Sequence, residues 1–240
     1  MKNNSHPVYN HYLLYTNSLK PNSQFDDIQK EITDYISDKK FRYNKKWGCT
    51  HKLLVPDEKA IIDDEYFDIS LMENHWLNFQ VLDHLPLLKK QIIFHLKEHV
   101  KDYYLNANLN QIAARKRAKE MCSILNYSSS WMTSFSGRDY THAHHHIAND
   151  AVFSGVYYYS CPPIADDDRA GSISFLLEPD FTATWPKDLG AGGLIEYNIK
   201  PKTGDILIFP SDLVHQVHAS LTDEVRYSIS FNIIHKPSYI

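Results

Sequence analysis

Four of the chain's fourteen histidines fall between positions 142 and 146, in Thr141-His142-Ala143-His144-His145-His146. Asp150 and an apolar, aromatic run over 151–159 follow them. Successive side chains of an extended strand point to opposite faces, so His144 and His146 project from the same one. Two neutral imidazoles a few ångströms apart can chelate one divalent metal. A polar loop of solvated histidines is the plain alternative, and four histidines in five residues beside an apolar strand favour the metal.

A second constellation runs Thr203-Gly204-Asp205-Ile206-Leu207-Ile208-Phe209-Pro210-Ser211-Asp212-Leu213-Val214-His215-Gln216-Val217-His218. A turn leads into an apolar strand, a proline-bounded corner follows, and His215 emerges on the next strand. Eleven residues later comes Arg226-Tyr227-Ser228-Ile229-Ser230-Phe231-Asn232, where Arg226, Ser228 and Ser230 share one face. An arginine pointing inward from a strand is costly unless it meets an anion, and its planar fork matches a carboxylate bidentately. That carboxylate can belong to the protein or to a ligand.

These residues need a scaffold, and the chain is long enough to supply one. Its 240 residues are 43% hydrophobic and 13% aromatic, enough for a buried core and too apolar for a disordered chain. A net charge of −4 argues against a dedicated nucleic-acid binder. No run approaches eighteen apolar residues, so no membrane span is expected, and the start, Met1-Lys2-Asn3-Asn4-Ser5-His6-Pro7, lacks the apolar stretch of a secretory signal. Cys49, Cys122 and Cys161 are odd in number and widely spaced, which fits a reducing cytoplasm and neither a disulfide framework nor a thiolate zinc site.

The pattern changes near residue 125. Before it, apolar residues recur at helical spacing. Phe25, Ile28, Ile32 and Ile36 mark one helix, opened by Ser23 and the acidic pair Asp26 and Asp27. Ser70-Leu71-Met72-Glu73 reads as a capping box for a second helix reaching about Asp83. Pro86 restarts a third through Val100, and 111–124 form a fourth around Ala113, Ala114 and Ala118. After residue 125, the runs 151–159, 172–177, 193–199, 205–209 and 226–234 are short, rich in Val, Ile, Phe, Tyr and Ser, and separated by Pro, Gly and Asp. That punctuation indicates a sandwich or barrel in place of alternating βαβ units. The expected architecture is one domain over 1–240, mainly β, with a helical support region over 1–125 packed against a β core over 126–240.

The ordered combination His144-x-His146…Ser154-Gly155-Val156-Tyr157-Tyr158, then Phe209-Pro210-Ser211-x-Leu213-x-His215-x-Val217, then Arg226-x-Ser228-Ile229-Ser230-Phe231-Asn232 resembles the Fe(II)/2-oxoglutarate-dependent oxygenases. More narrowly, it is similar to a prolyl-hydroxylase-like group of them. The resemblance covers about residues 130–234 and leaves the helical half unmatched. It implies a double-stranded β-helix, or jelly roll, with iron at one mouth, and an enzyme that couples 2-oxoglutarate decarboxylation to oxidation of a C–H bond by dioxygen. It makes His144 and His215 the firm metal ligands, Arg226 the anchor of the distal 2-oxoglutarate carboxylate with Ser228 assisting, and Tyr158 a second contact there or a core side chain. Two histidines and a carboxylate leave three positions, two for the chelating keto acid and one for dioxygen.

The chain departs from the superfamily at the third ligand. The usual pattern is His-x-Asp/Glu, and the matching position holds His146. Either the site has three histidines, the favoured reading, or Asp150 swings in; His142 is a weaker candidate, and His145 and His218 are expected around the site. A cupin-like dioxygenase with three histidines and no keto acid is the competing enzyme reading, and Arg226 separates the two. A non-catalytic jelly-roll module holding a structural metal is the third; such zinc sites are normally closed by four ligands. Tyr157, Tyr159 and Trp185 are core side chains or the rim of a substrate mouth. The basic run Arg115-Lys116-Arg117 with Lys119 reads as a solvated helix face, and Asp166-Asp167-Asp168-Arg169 as an exposed loop. Substrate (peptide side chain, amino acid or small natural product) and oligomeric state carry no readable motif.

Overall fold

A computed structural model describes residues 5–9, 12–45, 50–55, 58–72, 79–147, 150–163, 169–177 and 195–236. Strands β1 (Ser5–Tyr9) and β2 (Tyr12–Ser18) come first, then α1 (Phe25–Ile36), β3 (Phe41–Asn44), β4 (Lys52–Leu54) and β5 (Tyr66–Phe67). Helices α2 (Pro86–Asn106) and α3 (Gln111–Ser123) follow. The remaining strands are β6 (Leu125–Phe135), β7 (Thr141–His144), β8 (Ala151–Ser160), β9 (Ile173–Leu177), β10 (Ile195–Ile199), β11 (Asp205–Pro210), β12 (His215–Val217) and β13 (Arg226–His235).

They form two sheets, a large one in the order β1-β2-β11-β8-β13-β6-β4-β3-β5 and a small one in the order β10-β9-β12-β7. From β6 onward the chain steps back and forth between them: β6, β8, β11 and β13 lie in the large sheet, β7, β9, β10 and β12 in the small one. That winding is the jelly roll the resemblance implies.

Strict alternation along the large sheet decides what faces the site. On β8, Val156 and Tyr158 point toward the small sheet and pack with Phe175, Leu177, Leu207, Phe209 and Leu213. Tyr157, Ile206, Ile208, Ile229, Phe231 and Ile233 point the other way, into a core shared with Ile28 and Ile32 of α1 and Leu88, Ile92, Leu96 and Val100 of α2. Both faces of the sheet are therefore covered, and the inward face is free to carry polar residues. Close packing also explains Gly155: a Cβ there would lie 2.6 Å from the Leu207 carbonyl oxygen and 2.3 Å from the Phe231 ring.

Three of the four expected helices form where the periodicity puts them, with differences at their ends. Helix α1 starts after Gln24, whose N–H donates to Asn22 Oδ1, so Asn22 organises the entry in place of Ser23. Pro86 opens α2, and the next N–H groups, of Leu87 and Leu88, donate to the Glu31 carboxylate of α1 at 2.9 and 3.2 Å. A carboxylate there satisfies orphan donors and the helix dipole together. The expected helix over 70–83 is replaced, at its described ends, by single 3-10 turns, Ile69–Leu71 and Val81–His84. Asp68 caps the first by accepting from the Ser70 N–H and hydroxyl, and Gln80 bridges to Ser130 of β6, which pulls the chain out of helical geometry. The support region is also not purely helical: β2 pairs with β11, and β4 with β6.

Tyr157 and Tyr159 belong to the helix-covered face and rim no mouth: Gln29 of α1 donates to the Tyr157 hydroxyl at 2.8 Å, and Thr33 bonds the Tyr159 hydroxyl at the same distance. The Arg115–Lys119 run sits on exposed positions of α3, with Arg117 paired to Glu120. Trp185, Cys49 and Asp166 to Asp168 lie outside the described residues. Among the described residues, no helix is long and apolar enough to cross a membrane.

Candidate active site

The strand pair β7–β12 sets His144 directly opposite His215. The chain beyond β7 is held to the corner before β12 by a bond from the His146 N–H to the Ser211 carbonyl at 2.8 Å, which carries His146 back toward them. The three imidazoles converge: ring centroids are 4.4 Å apart for His144 and His215, 5.1 Å for His144 and His146, and 5.2 Å for His146 and His215. One ring nitrogen of each lies within 4.8 Å of the other two.

His144 Nδ1 donates to the carbonyl of His142 at 2.8 Å, and His215 Nδ1 to that of Leu213 at 2.9 Å. These bonds fix the tautomer and leave Nε2 as the free lone pair, the arrangement of ligating histidines. Burial, reinforced by the neighbouring imidazoles, holds His215 well below the ordinary imidazole range and His146 at about 4. His144 is also shifted down, mainly by burial, although the residue as a whole is more exposed than the other two. At neutral pH all three are uncharged and ready to donate to a metal.

Asp150 sits at the start of β8 with φ +54°, exposed and outside the three-histidine group. His142 and His145 are exposed; His142 packs edge-on against Tyr140 and only its carbonyl serves the cluster. His218 lies on a shallow surface depression with Tyr140 and Gln216, away from the three rings.

The histidines open on a cavity of about 360 Å³ between the two sheets. Its large-sheet wall is built in rows by the register of β8, β13 and β6: Tyr158–Ser228–Thr133, then Val156–Ser230–Trp131, then Ser154–Asn232–Ser129. Arg226 sits beyond the first row, opposite Phe135. It is 3% exposed; its guanidinium lies over the Phe135 ring, Nη1 donates to the Gly171 carbonyl at 2.6 Å, and Nε is buried without a partner. Among the described residues no carboxylate pairs with it. A buried cation with an orphaned donor on a cavity wall fits an anionic ligand from outside the chain. Ser228 Oγ is 2.8 Å from Thr133 Oγ1, and the Tyr158 hydroxyl, whose pKa burial pushes up, stays protonated beside them.

Sequence reasoning missed His51, just before β4. It is buried, stacks on Phe135 at 4.7 Å, lines the cavity and leaves Nδ1 unpartnered. A solitary histidine in the support region carries no spacing signal, and only the β4–β6 pairing brings it here.

Residues 129–232, the stretch holding every residue of the cluster and its rows except His51, match the family model described as "Putative 2OG-Fe(II) oxygenase". No curated protein matches the chain. Among solved structures, the non-haem epimerase SnoN from nogalamycin biosynthesis, in complex with Fe3+, alpha ketoglutarate and nogalamycin RO, aligns over 95% of this chain and 82% of its own at 14% identity and TM-score 0.50. A Pseudomonas putida prolyl-4-hydroxylase aligns over 93% and 92% at 11% identity and TM-score 0.46. A 2OG-Fe(II) oxygenase-family oxidoreductase from Burkholderia pseudomallei aligns over about half of each chain (51%) at 12% identity and TM-score 0.37. At these identities the structural likeness is one of fold. The family match is to Fe(II)- and 2-oxoglutarate-dependent oxygenases and covers the part of the chain that carries the three histidines and Arg226.

Proposed function

We propose that His144, His146 and His215 hold the iron, that Arg226, with Ser228 and Tyr158, holds the distal carboxylate of 2-oxoglutarate, and that a third molecule is oxidised in the remaining cavity. The observation that carries this reading is Arg226, a buried guanidinium with an unpartnered Nε on the wall of the cavity that the three histidines share. A cupin-like site without a keto acid gives that cation no partner.

The residues present fit both groups. Three neutral imidazoles with free Nε2 or equivalent lone pairs suit a borderline divalent metal and occupy three positions, leaving the rest for small ligands. A set of three histidines brings no negative charge, so a bound Fe(II) keeps more positive charge than in a site with one carboxylate ligand. When bound, iron supplies the dioxygen chemistry coupled to oxidative decarboxylation of the keto acid.

The chain's own contribution is binding, orientation and dryness. Arg226 gives the distal carboxylate two charge-assisted donors, and its stacking on Phe135 fixes the plane of the fork. The Ser228 and Tyr158 hydroxyls line the same end and can each donate to a carboxylate oxygen. Ile173 and Val217 of the small sheet and Phe209 of β11 supply apolar lining, which excludes water and strengthens each polar contact. Substrate candidates are a peptide side chain, an amino acid or a small natural product. We also read residues 1–240 as one catalytic unit, since β2 and β4 are hydrogen-bonded into the sheet that carries the site, and assign it to the cytoplasm from its cysteine usage.

Isothermal titration of 2-oxoglutarate into metal-loaded protein tests the reading. Binding that needs both the metal and Arg226 supports it, and binding indifferent to Arg226 overturns it.

A further inference from the structure

We infer that the end of the cavity remote from Arg226 is a substrate subsite for a neutral carbonyl oxygen, an amide in particular, recognised by Ser129, Asn232 and Ser230. The inference rests on the iron and keto-acid placement above and adds the chemical class of the substrate.

Arg226 and Asn232 are six residues apart on the same face of β13, about 20 Å at the usual strand rise of roughly 3.3 Å per residue. A five-carbon keto acid anchored on Arg226 cannot reach Asn232, so this end of the cavity needs another occupant. Trp131, in the adjoining row, has its ring 5.8 Å from that of His146, and Phe79 lines the same cavity. A molecule lying against these rings has its carbons beside the three-histidine cluster.

The hydrogen-bond directions at this end specify what that molecule must offer. Ser154 Oγ donates to Asn232 Oδ1 at 2.8 Å; its contact with Ser211 Oγ at 2.9 Å is then one in which Ser211 donates. Asn232 Nδ2 donates to Ser129 Oγ at 3.2 Å. The chain of bonds ends there. The Ser129 proton, the second Asn232 N–H and the Ser230 hydroxyl have no acceptor among the described residues. Ser129 and Asn232 are 6% and 1% exposed, so bulk water does not satisfy them in its place. The wall presents donors and asks for an acceptor.

Charge selects among acceptors. Arg226 is the one permanently charged side chain of the cavity lining, and it stands at the far end. No charged side chain of the lining stands beside Asn232, so its neutral donors match an amide or ketone oxygen, and a carboxylate would gain no ion pair from the protein there.

The test uses the full chain loaded with zinc(II), which is redox-inert, and two probes of one shape: cyclopentanecarboxamide and cyclopentanecarboxylate. Saturation-transfer NMR titrations give their dissociation constants with and without 2-oxoglutarate, whose own affinity is measured by calorimetry. The amide should bind at least about tenfold tighter than the carboxylate. Ser129→Ala and Asn232→Leu should each weaken the amide roughly threefold to tenfold, the worth of one hydrogen bond, with 2-oxoglutarate affinity unchanged. Ser129→Ala, a minimal truncation, keeps the test decisive should Asn232→Leu not fold. Equal or tighter carboxylate binding, no amide binding to wild type, an undiminished amide affinity in Ser129→Ala, or a parallel loss of 2-oxoglutarate binding would overturn the inference. Failure of wild type to bind 2-oxoglutarate, with amide selectivity intact in its absence, would bring down the keto-acid placement and leave this subsite standing.

Discussion

His144 and His215 are mirror partners: registered opposite each other across β7 and β12, each donates its Nδ1 proton to the carbonyl two residues before it in the chain. The backbone that aligns the strands therefore also sets the tautomers. Neither imidazole needs a distant acid to orient it, and both present Nε2 to the same point.

Metal retention follows from that pair and His146. His215→Ala should leave two ligands and lower iron occupancy of the purified protein to a small fraction of wild type, read by elemental analysis. His146→Ala should do the same. Asp150→Ala should keep its metal, because Asp150 is exposed and outside the cluster. The reverse outcome for these two would make Asp150 the third ligand.

In the proposed site Arg226 would govern the co-substrate and not the metal. A buried guanidinium with two charge-assisted bonds contributes about 2–5 kcal/mol, so Arg226→Leu should weaken 2-oxoglutarate binding roughly 30- to several-thousand-fold while iron stays bound. Arg226→Lys should recover only part, since a point charge cannot reproduce the fork. Calorimetry on the iron-loaded variants under argon reads both effects.

Removing one hydroxyl from the same end should be milder. Tyr158→Phe deletes a single donor and keeps the ring that packs between the sheets, so 2-oxoglutarate affinity should fall about threefold to tenfold. A loss as large as that of Arg226→Leu would mean that the hydroxyl positions the arginine.

Stability should fall on acidification through histidines far from the cavity. His95 and His99 of α2 pack on Tyr15, with Tyr15 Oη 2.7 Å from His95 Nδ1, and burial holds both imidazoles at about 4. The unfolded chain takes up their protons near 6.5 and the folded chain only near 4, so stability is fully present above about pH 6.5 and is lost as pH falls toward 4. Each contributes a slope of about 1.4 kcal/mol per pH unit inside that window. Urea unfolding at pH 7, 6 and 5 should show His99→Leu losing about 1 kcal/mol less per pH unit than wild type; identical slopes would contradict the buried neutral imidazole.

The β core was legible because its chemistry is periodic. His144 and His146 at strand spacing, the Pro210 corner before His215, and Arg226, Ser228 and Ser230 alternating with apolar residues announce both the strands and the face that carries the site. What escaped depends on partners distant in sequence. β2 joins the sheet through β11, and β7 and β12 are short strands with little apolar content to mark them. His51 reaches the cavity only through β4–β6 pairing, and Asn232, inside the 226–234 run, carries no signal of its own until Ser154 and Ser129 are seen beside it. Tyr157 and Tyr159 were ambiguous for the same reason: alternation separates two faces without saying which one the helices cover.

The most direct test of the account is an anaerobic Fe(II) titration with and without 2-oxoglutarate, followed by the weak visible charge-transfer band of an iron–keto acid chelate. Wild type should develop the band only with both present, and at the same 2-oxoglutarate concentration Arg226→Leu should bind iron without developing it. Wild-type protein that binds iron through His144, His146 and His215 yet shows no band at saturating 2-oxoglutarate would contradict the account.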